Sequence, residues 1–371
     1  MIRRVRTRPE VADARRIVIK VGSSSLTGAD GRLDAGRVAQ LAELISAKHR
    51  AGARIVLVTS GAIAAALGPL GLRRRPRDLE TQQAAAAVGQ GLLIRAYTDA
   101  FAEHGLMAAQ LLLTVEDVLR PRTYRNALNT ISRLFRLGVI PIVNENDTVA
   151  THEIRFGDND RLAALTAHLV RAEALLLMSD VDGLYTAHPE TPGAEKLTRV
   201  DDISTLAVDT SRVGSKVGTG GMRTKVQAAD IATQAGVNVV LAHADHLAEA
   251  LDGAEVGTYF PARKRRRPRR LLWLAFAAEP RGFLHIDDGA RRALVEKHAS
   301  LLAAGVREVR GAFDEGEPVE IVGPDGQPLG RGFVGYSSAE LAQEMGHSSV
   351  EPGHAAQRPV VHRDHMVLTA D

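Results

Sequence analysis

The sequence predicts an α/β protein: a three-layer α/β/α sandwich around a mostly parallel sheet, followed by a small, mostly β domain. Three observations carry that expectation. From Arg16 to about Ala250, short apolar, β-branched runs alternate with longer segments of helical period. Each run holds four to six near-continuous apolar residues, the pattern of parallel strands buried on both faces. Beyond a basic, proline-containing stretch the runs become short and turn-bounded, as in a small β domain. The chain has 371 residues, 45% of them hydrophobic, which is enough for two domains with sizeable cores. The expected division is 1–260, a basic linker at 261–278, and 279–371.

Taken in order, strands are expected at 17–21, 55–59, 111–114, 139–143, 174–178 and 237–241. Helical spacing appears at 34–50, with Val38, Leu41 and Ile45, and at 159–170, with Leu162, Leu165 and Leu169. An alanine-rich helix covers 84–88, and 222–234 continues the helical pattern. In the second domain the runs are 283–286, 306–309, 318–322 and 332–336, with a hairpin signal at Asp325-Gly326.

Composition excludes several chemistries. The chain has no cysteine, so it has no disulfide, thiolate nucleophile or cysteine-ligated metal. Thirteen histidines form no HExxH or similar ligand spacing; the pairs His243/His246 and His362/His365 read as structural or surface residues, so no metal site is expected. The longest strongly apolar run, 271–278, is far short of the roughly 20 residues that cross a bilayer. The basic N-terminus leads into no signal-type stretch, so a soluble cytoplasmic protein is expected. The net charge of +3 is a local matter. Seven of the 47 basic residues lie at 263–270, and without them 40 face 44 acidic ones.

Ligands of open α/β sheets collect outside the carboxyl ends of the strands. There the chain places Lys20-Val21-Gly22-Ser23, Thr59-Ser60-Gly61, Asn144-Glu145-Asn146-Asp147 and Ser179-Asp180. These small and polar residues predict one shared crevice. Gly22 after a strand, and Gly218-Thr219-Gly220-Gly221 before a helix, offer unobstructed backbone N–H groups to phosphate oxygens. Neither matches the P-loop or the dinucleotide fingerprint, and each alone is equally an ordinary turn or cap. Only seven basic residues are lysines. Lys20 sits in an apolar run and Lys225 in the first turn after the glycines, places suited to point-charge contact with a transferring phosphoryl group. Phe156-Gly157-Asp158-Asn159-Asp160 opens a helix with more polar residues than a cap needs. A carboxylate there would orient lysine ammonium groups, and the asparagines would suit a zwitterionic substrate.

Seven ordered segments then resemble the amino acid kinase family, in its glutamate-phosphorylating branch. They are KVGSSSLT at 20–27, VTSGAIAA at 58–65, AAAAVGQ at 84–90, VNENDTVA at 143–150, EIRFGDND at 153–160, LMSDVDGLYT at 177–186 and GTGGMRTK at 218–225. GFLHIDDGA at 282–290, 336–338 and VHRD at 361–364 resemble the PUA domain that bacterial members append. The resemblance implies ATP-dependent phosphorylation of the γ-carboxylate of L-glutamate, the first step of proline biosynthesis. It implies Lys20, Asp160 and Lys225 as catalytic, with Asp160 holding the two lysines. Ser60, Gly61, Asn144, Asp147 and Asn159 would bind glutamate. Lys20, Ser179, Asp180, Thr219, Gly220, Gly221, Met222, Arg223, Thr224 and Lys225 would hold ATP, and Mg²⁺ would ride on its phosphates without a named protein ligand. Proline as feedback inhibitor, a homo-oligomer and transfer to glutamate-5-semialdehyde dehydrogenase are implied in the same way. Ala66 and Lys216 depart from the family pattern at positions where glycine and a small residue are usual.

Two alternatives are open from sequence: a sibling kinase for acetylglutamate or aspartate, and an added RNA-binding role. The second rests on the PUA resemblance and on the arginine tract, with Trp273 and Phe276 beside it.

Overall fold

A computed structural model describes residues 8–28, 30–119, 121–148, 159–203, 206, 221–263, 271, 274, 280–345 and 358–368. The chain divides into two compact units, Met1–Arg266 and Arg267–Asp371. Among the described residues no helix is long and apolar enough to cross a membrane.

Among the described residues the first unit carries nine strands. These are β1 (Arg16–Val21), β2 (Arg54–Thr59), β3 (Ala108–Leu113), β4 (Ile140–Glu145), β5 (Ala174–Ser179), β6 (Leu184–Tyr185), β7 (Lys196–Leu197), β8 (Asn238–His243) and β9 (Thr258–Phe260). Seven form one sheet in the order β3-β4-β2-β1-β5-β8-β9, parallel except for β9, which runs antiparallel to β8. β6 and β7 pair separately. In register, Val21 lies beside Thr59 and Met178, so the carboxyl ends of β2, β1 and β5 finish at one level. The chain leaves β1 toward β2 on one side and reaches β5 on the other, so the strand order reverses at β1, where ligand crevices form.

The interior strands are as apolar as expected because helices cover both faces of the sheet. Ile17, Ile19, Ile55, Leu57, Leu175, Leu176, Val239 and Leu241 are fully buried. The expectation fails at β3. This edge strand is half exposed, with Leu112 at 37% and the adjoining Met107 at 65%, because only β4 flanks it. Helices start where short polar side chains satisfy the first free N–H groups. Asp34 accepts from Gly36 and Arg37 at 2.9 and 3.3 Å before Ala35–Arg50, and Asp78 accepts from Thr81 at 2.9 Å before Leu79–Ala102. Lys48, His49 and Arg50 complement the negative end of the first of these.

The second unit carries β10 (Gly282–Ile286), β11 (Val306–Gly311), β12 (Pro318–Val322), β13 (Pro328–Val334) and β14 (Val361–Leu368), in the order β11-β10-β12-β13-β14. The Asp325-Gly326 turn joins β12 to β13. Gly326 takes φ +75°, and Gly323 and Gln327 close the turn with a 2.8 Å hydrogen bond. Leu284, Val319, Ile321, Leu341 and Val361 form the core. β13 starts four residues earlier than expected, and β14 was not anticipated because its exposed middle, His362–His365, is polar. The stretch 264–270, Trp273 and Phe276 lie outside the described residues.

Candidate active site

Lys20 lies one residue before the end of the central strand and is only 6% exposed. Asp160 opens the helix Asn159–Leu169 and is 1% exposed, and Lys225 lies in the first turn of the helix Met222–Gln234 at 6%. The fold brings these three together. Lys20 Nζ stands 2.6 Å from Asp160 Oδ1, and Lys225 Nζ stands 3.4 Å from Asp160 Oδ2. Thr224 Oγ1 is 2.8 Å from the same Oδ2 and 2.9 Å from the Gly221 carbonyl, which ties the start of its helix to the carboxylate. Burial pushes the Asp160 carboxyl upward, but Lys20, Lys225 and the Thr224 hydroxyl outweigh it and hold the group well below the usual carboxylate range. The triad carries two positive charges and one negative, in a buried place where charges act strongly.

Next to it, at the ends of β2 and β4, Asn159 Nδ2 lies 2.9 Å from Ser60 Oγ and 3.1 Å from Asn144 Oδ1, donating to both. Asn144 Nδ2 donates to Gln90 Oε1 at 2.7 Å. Ser60, Asn144 and Asn159 border a cleft of about 320 Å³ that Gly61, Glu145 and Asp147 also line. Asn159 Oδ1 is buried and has no hydrogen-bond partner among the described residues. Gly61 takes φ +104°, a left-handed conformation that lets the chain turn from β2 into the helix Ala62–Leu67. Burial raises the Asp147 carboxyl to about 6, partly offset by the Arg75 guanidinium.

On the other side of β1, Ser179 is buried at the end of β5 and its hydroxyl donates to Asp180 at 2.9 Å. Asp180 and Arg223 are exposed, Met222 and Gly221 half-buried. Gly221 caps the helix Met222–Gln234 through its backbone only. Thr219, Gly220, Lys216 and 149–158 lie outside the described residues.

The anticipated glutamate residues Ser60, Gly61, Asn144, Asp147 and Asn159 therefore surround one cleft, and the anticipated catalytic residues form one cluster beside it. Arg223 reaches none of them through a described contact. Two participants escaped the sequence reading. Gln90 orients Asn144 from 54 positions away, and Arg75 shares the cleft with Asp147. Gln90 closes the AAAAVGQ segment, which was a signal; Arg75 sits in an arginine-rich loop that carries none.

An α/β sandwich whose strand ends gather two buried ammonium groups on one carboxylate, next to a polar cleft, defines a group-transfer site for anionic substrates. Residues 15–243 match the pattern described as "Amino acid kinase family" and 282–355 that described as "PUA domain". The chain is 55% identical to the glutamate 5-kinase of Cutibacterium acnes, over 98% of this chain and 94% of that one. It is 55% identical to that of Salinispora arenicola (97% and 100% covered) and 54% identical to that of Streptomyces coelicolor (97% and 98%). The carbamate kinase from Giardia lamblia bound to AMP-PNP superposes with a TM-score of 0.50 at 20% identity, covering 68% of this chain and 100% of that one, which shows the shared fold. The chain belongs to the amino acid kinase family and, within it, to the glutamate 5-kinases.

Proposed function

We propose that the chain transfers the γ-phosphoryl group of ATP to the γ-carboxylate of L-glutamate, releasing ADP and L-glutamyl 5-phosphate, the first step of proline biosynthesis. The observation that carries this reading is the Lys20–Asp160–Lys225 cluster at the strand-order reversal, beside a cleft lined by Ser60, Asn144, Asp147 and Asn159. A γ-carboxylate oxygen attacks the γ-phosphorus as the bond to the β–γ bridging oxygen breaks. Both partners are anions, so the protein's task is alignment and charge neutralisation. In this reading Lys20 meets the transferring group and Lys225 the bridging oxygen. Asp160 holds both ammonium groups and is not itself consumed. Ser60, Gly61, Asn144, Asp147 and Asn159 bind glutamate, and Ser179, Asp180 and 219–225 bind the nucleotide.

Among the described residues no group of three or more histidine and carboxylate side chains forms a metal cage. Both Asp160 oxygens are taken up by lysine ammonium groups, and Mg²⁺ carried by the ATP phosphates would supply further charge neutralisation. A cytoplasmic homo-oligomer that hands its labile acyl phosphate to glutamate-5-semialdehyde dehydrogenase belongs to the same reading. Proline shares the α-ammonium and α-carboxylate of glutamate and is proposed to compete for the cleft. Millimolar proline that left the rate unchanged at subsaturating glutamate would remove that element.

The test is hydroxamate formation from MgATP, hydroxylamine and L-glutamate, set beside N-acetylglutamate and aspartate. Glutamate alone is expected to react, and Lys225→Ala to lower kcat by about 10²–10³, the size of a lost transition-state charge contact. Turnover with another substrate, or equal turnover in Lys225→Ala, contradicts the assignment.

A pH dependence follows from Asp147, raised to about 6 by burial. Its ionised form attracts the substrate ammonium, so acid weakens binding. The KM for glutamate is expected to rise about tenfold between pH 7 and pH 5, while kcat changes little because Asp160 stays ionised there. In Asp147→Asn the KM is expected to be high and flat with pH. A steep profile in that variant would assign the titration elsewhere.

A further inference from the structure

L-Glutamate brings three charged groups into the cleft, and the proposed reaction uses one. The γ-carboxylate must face Lys20, so the α-ammonium and α-carboxylate need partners of their own. Asp147, and Asn159 Oδ1, which has no hydrogen-bond partner among the described residues, are acceptors suited to the ammonium. Nothing in the function proposed above supplies a cation for the α-carboxylate, because Lys20 and Lys225 are engaged at the phosphoryl group.

Among the described residues, the cationic side chains lining the cleft are Arg73, Arg74 and Arg75, from the connection between the helices Ala62–Leu67 and Leu79–Ala102. Arg73 and Arg74 are exposed, whereas Arg75 is half-buried. Among the described residues the Arg75 guanidinium has no hydrogen-bond partner, although it is close enough to Asp147 for each to shift the other's titration. A cation and an anion lining one cleft, within electrostatic reach of each other, suit the α-carbon, whose carboxylate and ammonium are neighbours. The planar guanidinium presents paired N–H donors that fit a carboxylate bidentately.

We infer that Arg75 receives the α-carboxylate of the amino acid substrate and, with Asp147, makes the cleft select a free α-amino acid. This assignment rests on the proposed glutamate kinase activity. It gives the cleft a polarity: the α-carbon end lies at Arg75, Asp147 and Asn159 Oδ1, and the reacting end at Lys20. Substrates without a free α-carboxylate lose the Arg75 contact, and N-acylated ones lose that of Asp147.

The experiment compares the full-length enzyme with Arg75→Ala and Arg75→Lys, measuring KM and kcat for glutamate, KM for ATP, and the Ki of isoglutamine, the α-amide, as a competitor. Arg75→Ala is expected to raise the glutamate KM about 10- to 100-fold, the loss of a charged hydrogen-bond pair. The KM for ATP is expected to stay within about twofold, and kcat to fall far less than the affinity. The isoglutamine Ki is expected to be nearly unchanged, so the wild-type preference for glutamate over its α-amide collapses. Arg75→Lys is expected to recover part of that preference. An unchanged glutamate KM overturns the inference. Equal losses for glutamate and isoglutamine also overturn it, since they would show Arg75 shaping the loop and not reading the carboxylate. Wild-type enzyme that forms no hydroxamate from glutamate overturns the functional reading and the Arg75 assignment with it, and so separates that failure from one confined to Arg75.

Discussion

Asp160→Ala is expected to abolish hydroxamate formation and to destabilise the protein by about 3–5 kcal/mol, the cost of removing one partner from a buried ion pair. The carboxylate is 1% exposed and is flanked by Lys20 at 2.6 Å and Lys225 at 3.4 Å. Without it two ammonium groups, each 6% exposed, face one another with no shared counter-charge. They would separate or lose protons, and either response removes the cations that phosphoryl transfer requires. Asp160→Asn keeps the shape and a hydrogen-bonding oxygen for Thr224, so it is expected to lose activity to a similar extent with a smaller stability loss. Urea unfolding of the three proteins, beside the hydroxamate assay, separates the two effects. A fully active Asp160→Asn would show that the charge is not needed to hold the lysines. The linkage to pH has a definite sign. The folded-state pKa of Asp160 lies below the unfolded value, so its stabilisation is complete above the ordinary carboxylate range and declines as the pH falls below it. Acid, not base, is expected to unfold this cluster.

Gly89→Ala is expected to destabilise the protein by about 1–3 kcal/mol and to raise the KM for glutamate, although Gly89 is not among the residues lining the cleft. Helix propensity alone argues the opposite way, since alanine is favoured over glycine inside a helix by about 1 kcal/mol. Packing decides the sign. A Cβ at Gly89 would lie 1.7 Å from the carbonyl oxygen of Ala62 and 3.0 Å from the nitrogen of Ala66, both backbone atoms that cannot swing aside. The helices Leu79–Ala102 and Ala62–Leu67 must therefore move apart. Gly61, Ala62, Ile63 and Ala64 line the cleft, so that movement alters the glutamate site while the Lys20–Asp160–Lys225 cluster stays in place. Denaturant midpoints and KM values for both substrates check this. A stabilised Gly89→Ala would show that the two helices are not in backbone contact.

Elements differ in how far the chain announces them, and burial explains which. β1, β2, β5 and β8 are covered on both faces, so their side chains are apolar on both, and each run is continuous. The edge strand β3 alternates half-buried and exposed positions and was placed three residues late. β14 has an exposed polar middle, and β9 is three residues long; neither has a run to find. Lys20 stood out because a charge inside an apolar strand is costly unless it has a partner. Asn159 and Asp160 stood out because a helix start needs fewer polar residues than occur there. Arg75 and the buried 2.8 Å hydrogen bond between Thr59 and Tyr97 left no such mark, since the groups they act on lie 72 and 38 positions away.

By itself, the sequence determined the layer architecture, the strand ends that carry polar chemistry, and the residue types a phosphoryl-transfer site needs, because periodicity and unusual placement are local properties of a chain. That one carboxylate serves two lysines from different elements was implied by the family resemblance, and the tertiary structure supplied its geometry. Only the tertiary structure decided that Asn159 is held between Ser60 and Asn144, and that an arginine from an ordinary-looking loop shares a cleft with Asp147. The physical reason is that charge pairing and hydrogen bonding act over a few ångströms of space. Folding brings residues within that range wherever they lie along the chain.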